Sequence, residues 1–288
     1  MSESELSPQV QAALDFVGDA DELVSSMAME KILQSGQAEQ ALATIQDDPD
    51  ENTRRHAHQL GTLIQRKHIL KSIVSDFEQA RLPILTAMVR VDLLYDTSSS
   101  LSYLNGRLQE LYHDFTAWLQ DPSVTERNLD TLCDFMDSRG FYVPPLPWLG
   151  IEDYLLGDVM DNYGDAVPLV LAALCQELGR QNHIKVNVIA WNGFIGLLDR
   201  LKGTVCVLEK GWEVQKLDKR DQVVHLNDQQ LFLLYLNSLL ASSIACWEAY
   251  DVHLFWEILQ ALHGIQGDPL PYPFGEINEP ETPSKQGE

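Results

Sequence analysis

The sequence predicts an α+β protein: an all-helical amino-terminal domain, then a domain in which a buried helix packs on a small antiparallel sheet closed by two more helices. Three observations predict it. The first 120 residues hold helical spacing throughout and no segment of period two. From Val167 to Leu178 the chain is apolar on nearly every side, which only a buried helix tolerates. From Ile184 onward the period changes to two, with Ile184, Val186 and Val188 alternating with Lys185 and Asn187.

Candidate helices in the amino-terminal domain cover residues 20–35, 37–46, 51–68, 70–95 with a break before Pro83, and 99–120. Asp47-Asp48-Pro49-Asp50 separates two of them. With Arg54, Ala57 and Leu60-Gly61 that turn resembles the helical hairpin of HEAT repeats, in which Arg reaches back to an acidic turn. A solenoid needs about three such units to bury its faces, and a plain bundle stands beside it as the other reading. His56 and His58 cannot share a metal ion, because positions i and i+2 of a helix point about 200° apart. No metal site and no cofactor is expected.

The boundary is expected at Pro122 and Ser123, where Asp-Pro ends one helix and Ser can begin another. This gives a helical domain over residues 1–121, a second domain over 122–265 and an acidic, Pro-rich tail over 266–288, expected to be disordered beyond Phe274. A helix over 125–139 opens the second domain. A segment with Pro144, Pro145 and Pro147 follows, held extended by its prolines. Its Tyr142 and Trp148 either pin a loop to the core or form one wall of a groove. Leu155, Leu156, Val159, Met160 and Tyr163 make an amphipathic helix, Asp165 stands at the N-cap of the buried helix, and Pro168 fills its first turn. Phe194–Leu198, Val205–Leu208 and Trp212–Leu217 are further strands, the last two flanking a turn at Lys210-Gly211. Helices over 228–243 and 250–263 close the domain, with Trp247 and Trp256 read as core anchors.

This order of elements is shared by transglutaminase and papain-like folds. The runs Leu156-Gly157-Asp158-Val159-Met160, Ala166-Val167-Pro168-Leu169 and Trp191-Asn192-Gly193-Phe194 resemble the bacterial SirB-one-type transglutaminase-like family over about residues 125–230. In catalytic members of the wider superfamily a Cys at the start of the buried helix is the nucleophile, with a His and an Asp on following strands. A helix N-terminus suits a thiolate, since its free N–H groups and partial positive charge favour the anion. Here the resemblance puts Pro168 and its neighbours where the Cys belongs and Gly193 where the His belongs, and leaves Asp218 with nothing to orient. Pro168, Trp191, Gly193 and Asp218 therefore mark a vestigial site. The expected function is non-catalytic, a pseudoenzyme holding a protein or peptide in the vestigial cleft or on the helical surface. The alternative is a cysteine hydrolase or acyl transferase with relocated groups: Cys175, His225 and Asp218. Cys175 lies about 10 Å further along the helix than Pro168, and a buried, inert thiol is its plainer account. His183, between helix and strand, reads as a cap on helical carbonyls.

A net charge of −23, from 43 acidic and 20 basic residues, repels nucleic acid and anionic lipid at long range. Arg54-Arg55 and Arg66-Lys67 with Lys71 are local exceptions on helical faces. No apolar run reaches the ~20 residues that span a bilayer, and the Met-Ser-Glu-Ser-Glu-Leu start is acidic where a secretory signal is basic. A cytoplasmic protein is expected, with neither nucleic acid nor membrane as partner. Cys133, Cys175, Cys206 and Cys246 form no Cys-x-x-Cys pair, in keeping with reduced thiols.

Overall fold

The computed structural model describes residues 6–145, 150–161, 164–218 and 222–264. It combines helices with a small antiparallel five-stranded sheet. Two compact units are present, Met1–Ser72 and Ile73–Glu288. The boundary expected at Pro122 therefore falls inside the second unit. The physical reason is Asp92, whose buried carboxylate accepts the backbone N–H groups of Leu156 and Gly157 and so ties a helix assigned to the first domain into the core of the second.

The first unit holds α1 (Pro8–Leu14), α2 (Glu22–Gln34), α3 (Ala38–Ile45) and most of α4 (Glu51–Glu78). Helix α1 was not expected, although Ser7 caps it and Pro8 opens it. The expected break near residue 69 is absent, because α4 runs on unbroken to Glu78. Val10, Val17, Ile32, Ala41, Ile45, Ala57 and Leu60 fill one core. Arg54 donates to the carbonyls of Asp48 and Pro49, both at 2.7 Å, the reach-back that the sequence pattern implies. His56 is buried, its Nδ1 2.5 Å from the Val17 carbonyl.

In the second unit α5 (Ile84–Tyr95) follows Pro83, α6 (Leu101–Trp118) is capped by Ser100, and α7 (Leu129–Ser138) is capped by Asn128. The short α8 (Leu156–Asp161) precedes α9 (Pro168–Gln181), the helix expected to be buried. Val170 to Cys175 are each at most 1% exposed, as a helix apolar on all sides requires. Its N-cap is Val167 rather than Asp165. Asp165 instead pairs in a parallel bridge with Tyr142 and accepts the tyrosine hydroxyl at 3.0 Å.

Strands β1 (Val186–Trp191), β2 (Phe194–Asp199), β3 (Thr204–Val207), β4 (Val214–Lys216) and β5 (Val223–His225) pair antiparallel in the order β4-β3-β2-β1-β5. Alternation gives the sheet two faces. Val186, Val188, Leu197 and Cys206 lie on the face that packs on α9, where a Cβ on Gly179 would come within 2.9 Å of Val186. Ile189, Leu198 and Val205 form a separate small cluster on the opposite face, with Trp191, Leu217 and Val223 against it.

Helices α10 (Asp228–Cys246) and α11 (Ala249–Leu262) form the closing hairpin. Helix α10 begins with a full capping box from Asn227 and Gln230. By length and composition it is long and apolar enough to cross a membrane, which corrects the expectation that no run approaches that length. Within the fold, however, Leu231, Phe232, Tyr235, Leu236 and Leu239 of this helix are buried. Trp247, expected as a core anchor, is 84% exposed at the left-handed end of α10. Trp256 is half-buried. The proposed tail from residue 266 lies outside the described residues, as do Trp148 and Tyr163.

Candidate functional site

The start of α9 is where a reactive thiol would gain most from free N–H groups. Val167 and Pro168 occupy it, and Tyr142 secures the chain just before it. The Tyr142 carbonyl accepts from Ala166 N–H, and its own N–H donates to the Gly164 carbonyl. Trp191 lies on the sheet face turned away from α9, in the small cluster with Ile189. Gly193 stands at the exposed tip of the β1–β2 hairpin. Asn192 and Gly193 have φ of +51° and +85°, the two left-handed positions of a type I′ turn. Gly193 therefore has a conformational reason to be glycine that does not depend on a lost histidine. Asp218 is exposed after β4. The structure does not gather Pro168, Trp191, Gly193 and Asp218 around one cleft.

Nor does it gather the relocated set. Cys175 is fully buried on α9, and burial beside Cys206 pushes its thiol far above the ordinary range. His225 pairs with Ile189 across β5 and β1, so it projects from the opposite face of the sheet. The β-sheet stands between the thiol and the imidazole. Cys175 has other thiols near it: Cys133 of α7 shares a hydrogen bond with Cys206, and that bond and burial drive the Cys133 thiol upward too. Among the described residues, no group of His, Cys, Asp or Glu has a geometry that could hold a metal ion.

Among the described residues, Asp92 is the one carboxyl raised far from the ordinary aspartate range. It is 4% exposed, and burial pushes it up to about 7, against the pull of the Gly157 and Leu156 N–H groups and with the push of Asp158 and Asp96. Its two carboxylate oxygens are satisfied at 2.6 and 3.1 Å. Such a displacement marks functional sites and structural caps alike. Here both oxygens are engaged by backbone at the start of α8, which is the work of a cap.

A groove of about 850 Å³ lies at the other end of α9. The beginning of α5, the last turns of α9, the start of β1 and the β2–β3 turn enclose it. Leu85, Ile184 and Val186 form an apolar floor. Leu201 stands on the rim at 82% exposed, beside Lys185, Arg200 and His183. The backbone makes this rim. His183 takes φ +60° just past the helix, and the Ile184 N–H turns back to the Gly179 carbonyl at 2.8 Å. That bond and the Asn182 amide on the Leu178 carbonyl cap α9, a task expected of the His183 imidazole. Two acids also line the groove. Glu177 is engaged by Arg180 at 2.6 and 2.7 Å, and Asp228 accepts the Ile84 N–H. Sequence reasoning missed this groove, because α5, the α9–β1 junction, the β2–β3 turn and the start of α10 build it together.

A second apolar hollow, of about 760 Å³, lies in the first unit between α1 and α2. Phe16 and Met27 line it and are 52% and 55% exposed. Comparison with models of known families, with curated proteins and with solved structures finds no match to this chain.

Proposed function

We propose that this chain is a non-catalytic, transglutaminase-like binding protein of the cytoplasm that holds a peptide in the groove at the carboxyl end of α9. The observation that carries this reading is the contrast between the two ends of that helix. One end lacks a nucleophile and is closed by Val167, Pro168 and the Tyr142 bridge, while the other opens into an amphipathic groove with an exposed leucine on its rim. Binding sites combine an apolar floor with a few placed polar groups, and Leu85, Ile184 and Val186 beneath Lys185 and Arg200 fit that description. The transglutaminase-like assignment itself rests on the sequence resemblance and on a buried helix packed on an antiparallel sheet.

The cysteine hydrolase reading is weaker, because it needs Cys175 and His225 to meet through a sheet. A peptide library displayed against the full chain tests the proposal. Enriched peptides should lose at least about tenfold in affinity with Leu201→Asp, a charge placed on an apolar contact worth roughly 1.5 kcal/mol or more. That variant should melt within a degree or two of the parent, since Leu201 is exposed. Peptides that bind both proteins equally would place recognition elsewhere.

A further inference from the structure

The groove is lined in part by the start of α10, the first helix of the closing hairpin. Asp228, at the start of α10, bonds to the Ile84 N–H at the start of α5. Helices α10 and α11 run antiparallel across the short turn at Trp247 and Glu248. At the far end, Tyr95 of α5 stacks on Phe255 and donates to Asp251 in the first half of α11. Helix α11 therefore returns toward the end of the unit that holds Ile84, Leu85 and Asp228, all three of which line the groove. The next stretch of sequence is Asp268-Pro269-Leu270-Pro271-Tyr272-Pro273-Phe274, followed by Glu276, Glu279 and Glu281. Tyr272 is ten residues beyond Leu262, a reach of up to about 33 Å at ~3.3 Å per residue, against helix spacings of ~8–10 Å.

The two surfaces match in character and in order. The groove has an apolar floor and, on its rim, Lys185 and Arg200, which carry no ion pair among the described residues of this strongly acidic chain. Arg180 is already committed to Glu177, and Asp228 to the α5 backbone. The segment offers a proline-spaced aromatic pair followed by three carboxylates. Proline fixes φ, so a proline-spaced sequence loses less entropy on docking than an ordinary one. Tethering adds an effective concentration in the millimolar range.

We propose that residues 269–281 fold back into this groove as an internal ligand, Tyr272 and Phe274 over the floor and Glu276 and Glu279 facing Lys185 and Arg200. This rests on the reading of the groove as a peptide site and supplies its regulation: an incoming peptide must displace the chain's own segment.

The test uses the full chain with the photoreactive p-benzoylphenylalanine at position 272. Irradiation of dilute protein should give an intramolecular crosslink mapping to Leu85, residues 184–186 or Leu201. The yield should fall at least about threefold with Lys185→Glu and Arg200→Glu together, a modest demand because exposed ion pairs are individually weak. Circular dichroism melting checks that this double variant is folded. Crosslinks that map to any other surface, that join two molecules in proportion to concentration, or that ignore the charge reversals would overturn the proposal. Library peptides carrying the same photoreactive residue form the second arm. If they mark the groove while position 272 does not, the internal ligand is wrong and the peptide site stands; if neither marks it, both are wrong.

Discussion

Replacing Asp92 by Asn removes a carboxyl that burial holds near pH 7 while keeping an acceptor for one of its two backbone partners. An ordinary aspartate ionises near 3.8, and Asp92 in the native protein at about 7. At roughly 1.36 kcal/mol per pH unit, that gap corresponds to about 4 kcal/mol in all. The sign follows from proton binding. Below about pH 4 both states hold the proton and the stabilising contribution is complete. Between 4 and 7 the unfolded chain releases the proton and the native one does not, so stability falls as pH rises, and above about 7 the loss is complete. The sequence pI of about 4.5 makes pH 5.5 a practical lower limit. From pH 5.5 to 8.5 the remaining change is about 2 kcal/mol by the same conversion. Urea denaturation of both proteins across that range is the assay. Comparison with the variant cancels the titration of acidic residues remote from position 92, so the difference between the two curves reports on Asp92 and its electrostatic neighbours Asp158 and Asp96. The stability of the parent relative to Asp92→Asn should fall by about 2 kcal/mol from pH 5.5 to 8.5. Parallel curves, with a difference constant to about 0.5 kcal/mol, would refute the reasoning.

Two further substitutions probe backbone conformation. Gly193→Ala should destabilise by about 1–2 kcal/mol in thermal or urea unfolding, because alanine at φ +85° is strained although no atom lies near its Cβ. Trp247→Gly should stabilise by up to about 1 kcal/mol, since an exposed tryptophan holds the left-handed position that ends α10. A marked loss of stability there would mean that the indole packs after all.

Much of the second unit is legible in the sequence, because its patterns are local. The apolar run through Val170–Cys175 and the alternation after Ile184 each arise within one element and each forms as expected. What failed depended on contacts between elements. Pro122 and Ser123 carry every local mark of a boundary, yet Asp92 joins the chain before them to Gly157 after them. Asp165 has the right chemistry for an N-cap, but Tyr142 claims its carboxylate. Gly193 stands where the resemblance places a histidine, and Asn192-Gly193 is also the pair that a two-residue hairpin turn favours. Trp247 looked like core because tryptophan is apolar, whereas its place at a helix end decides its exposure. The groove was hidden for a related reason: Leu85, Ile184, Lys185 and Leu201 are ordinary residues separately, and only the return of β1 beneath α9 and α5 puts them together.

The reactivity of the thiols tests the central claim most directly. A thiol-reactive probe added to the native chain near neutral pH, with sites identified by peptide mass, should label exposed Cys246 promptly at the rate of an ordinary thiol. Cys133, Cys175 and Cys206 should react only on unfolding, because all three are buried. Rapid labelling of Cys175 in the folded protein, faster than Cys246, would contradict the account and restore an active thiol to α9.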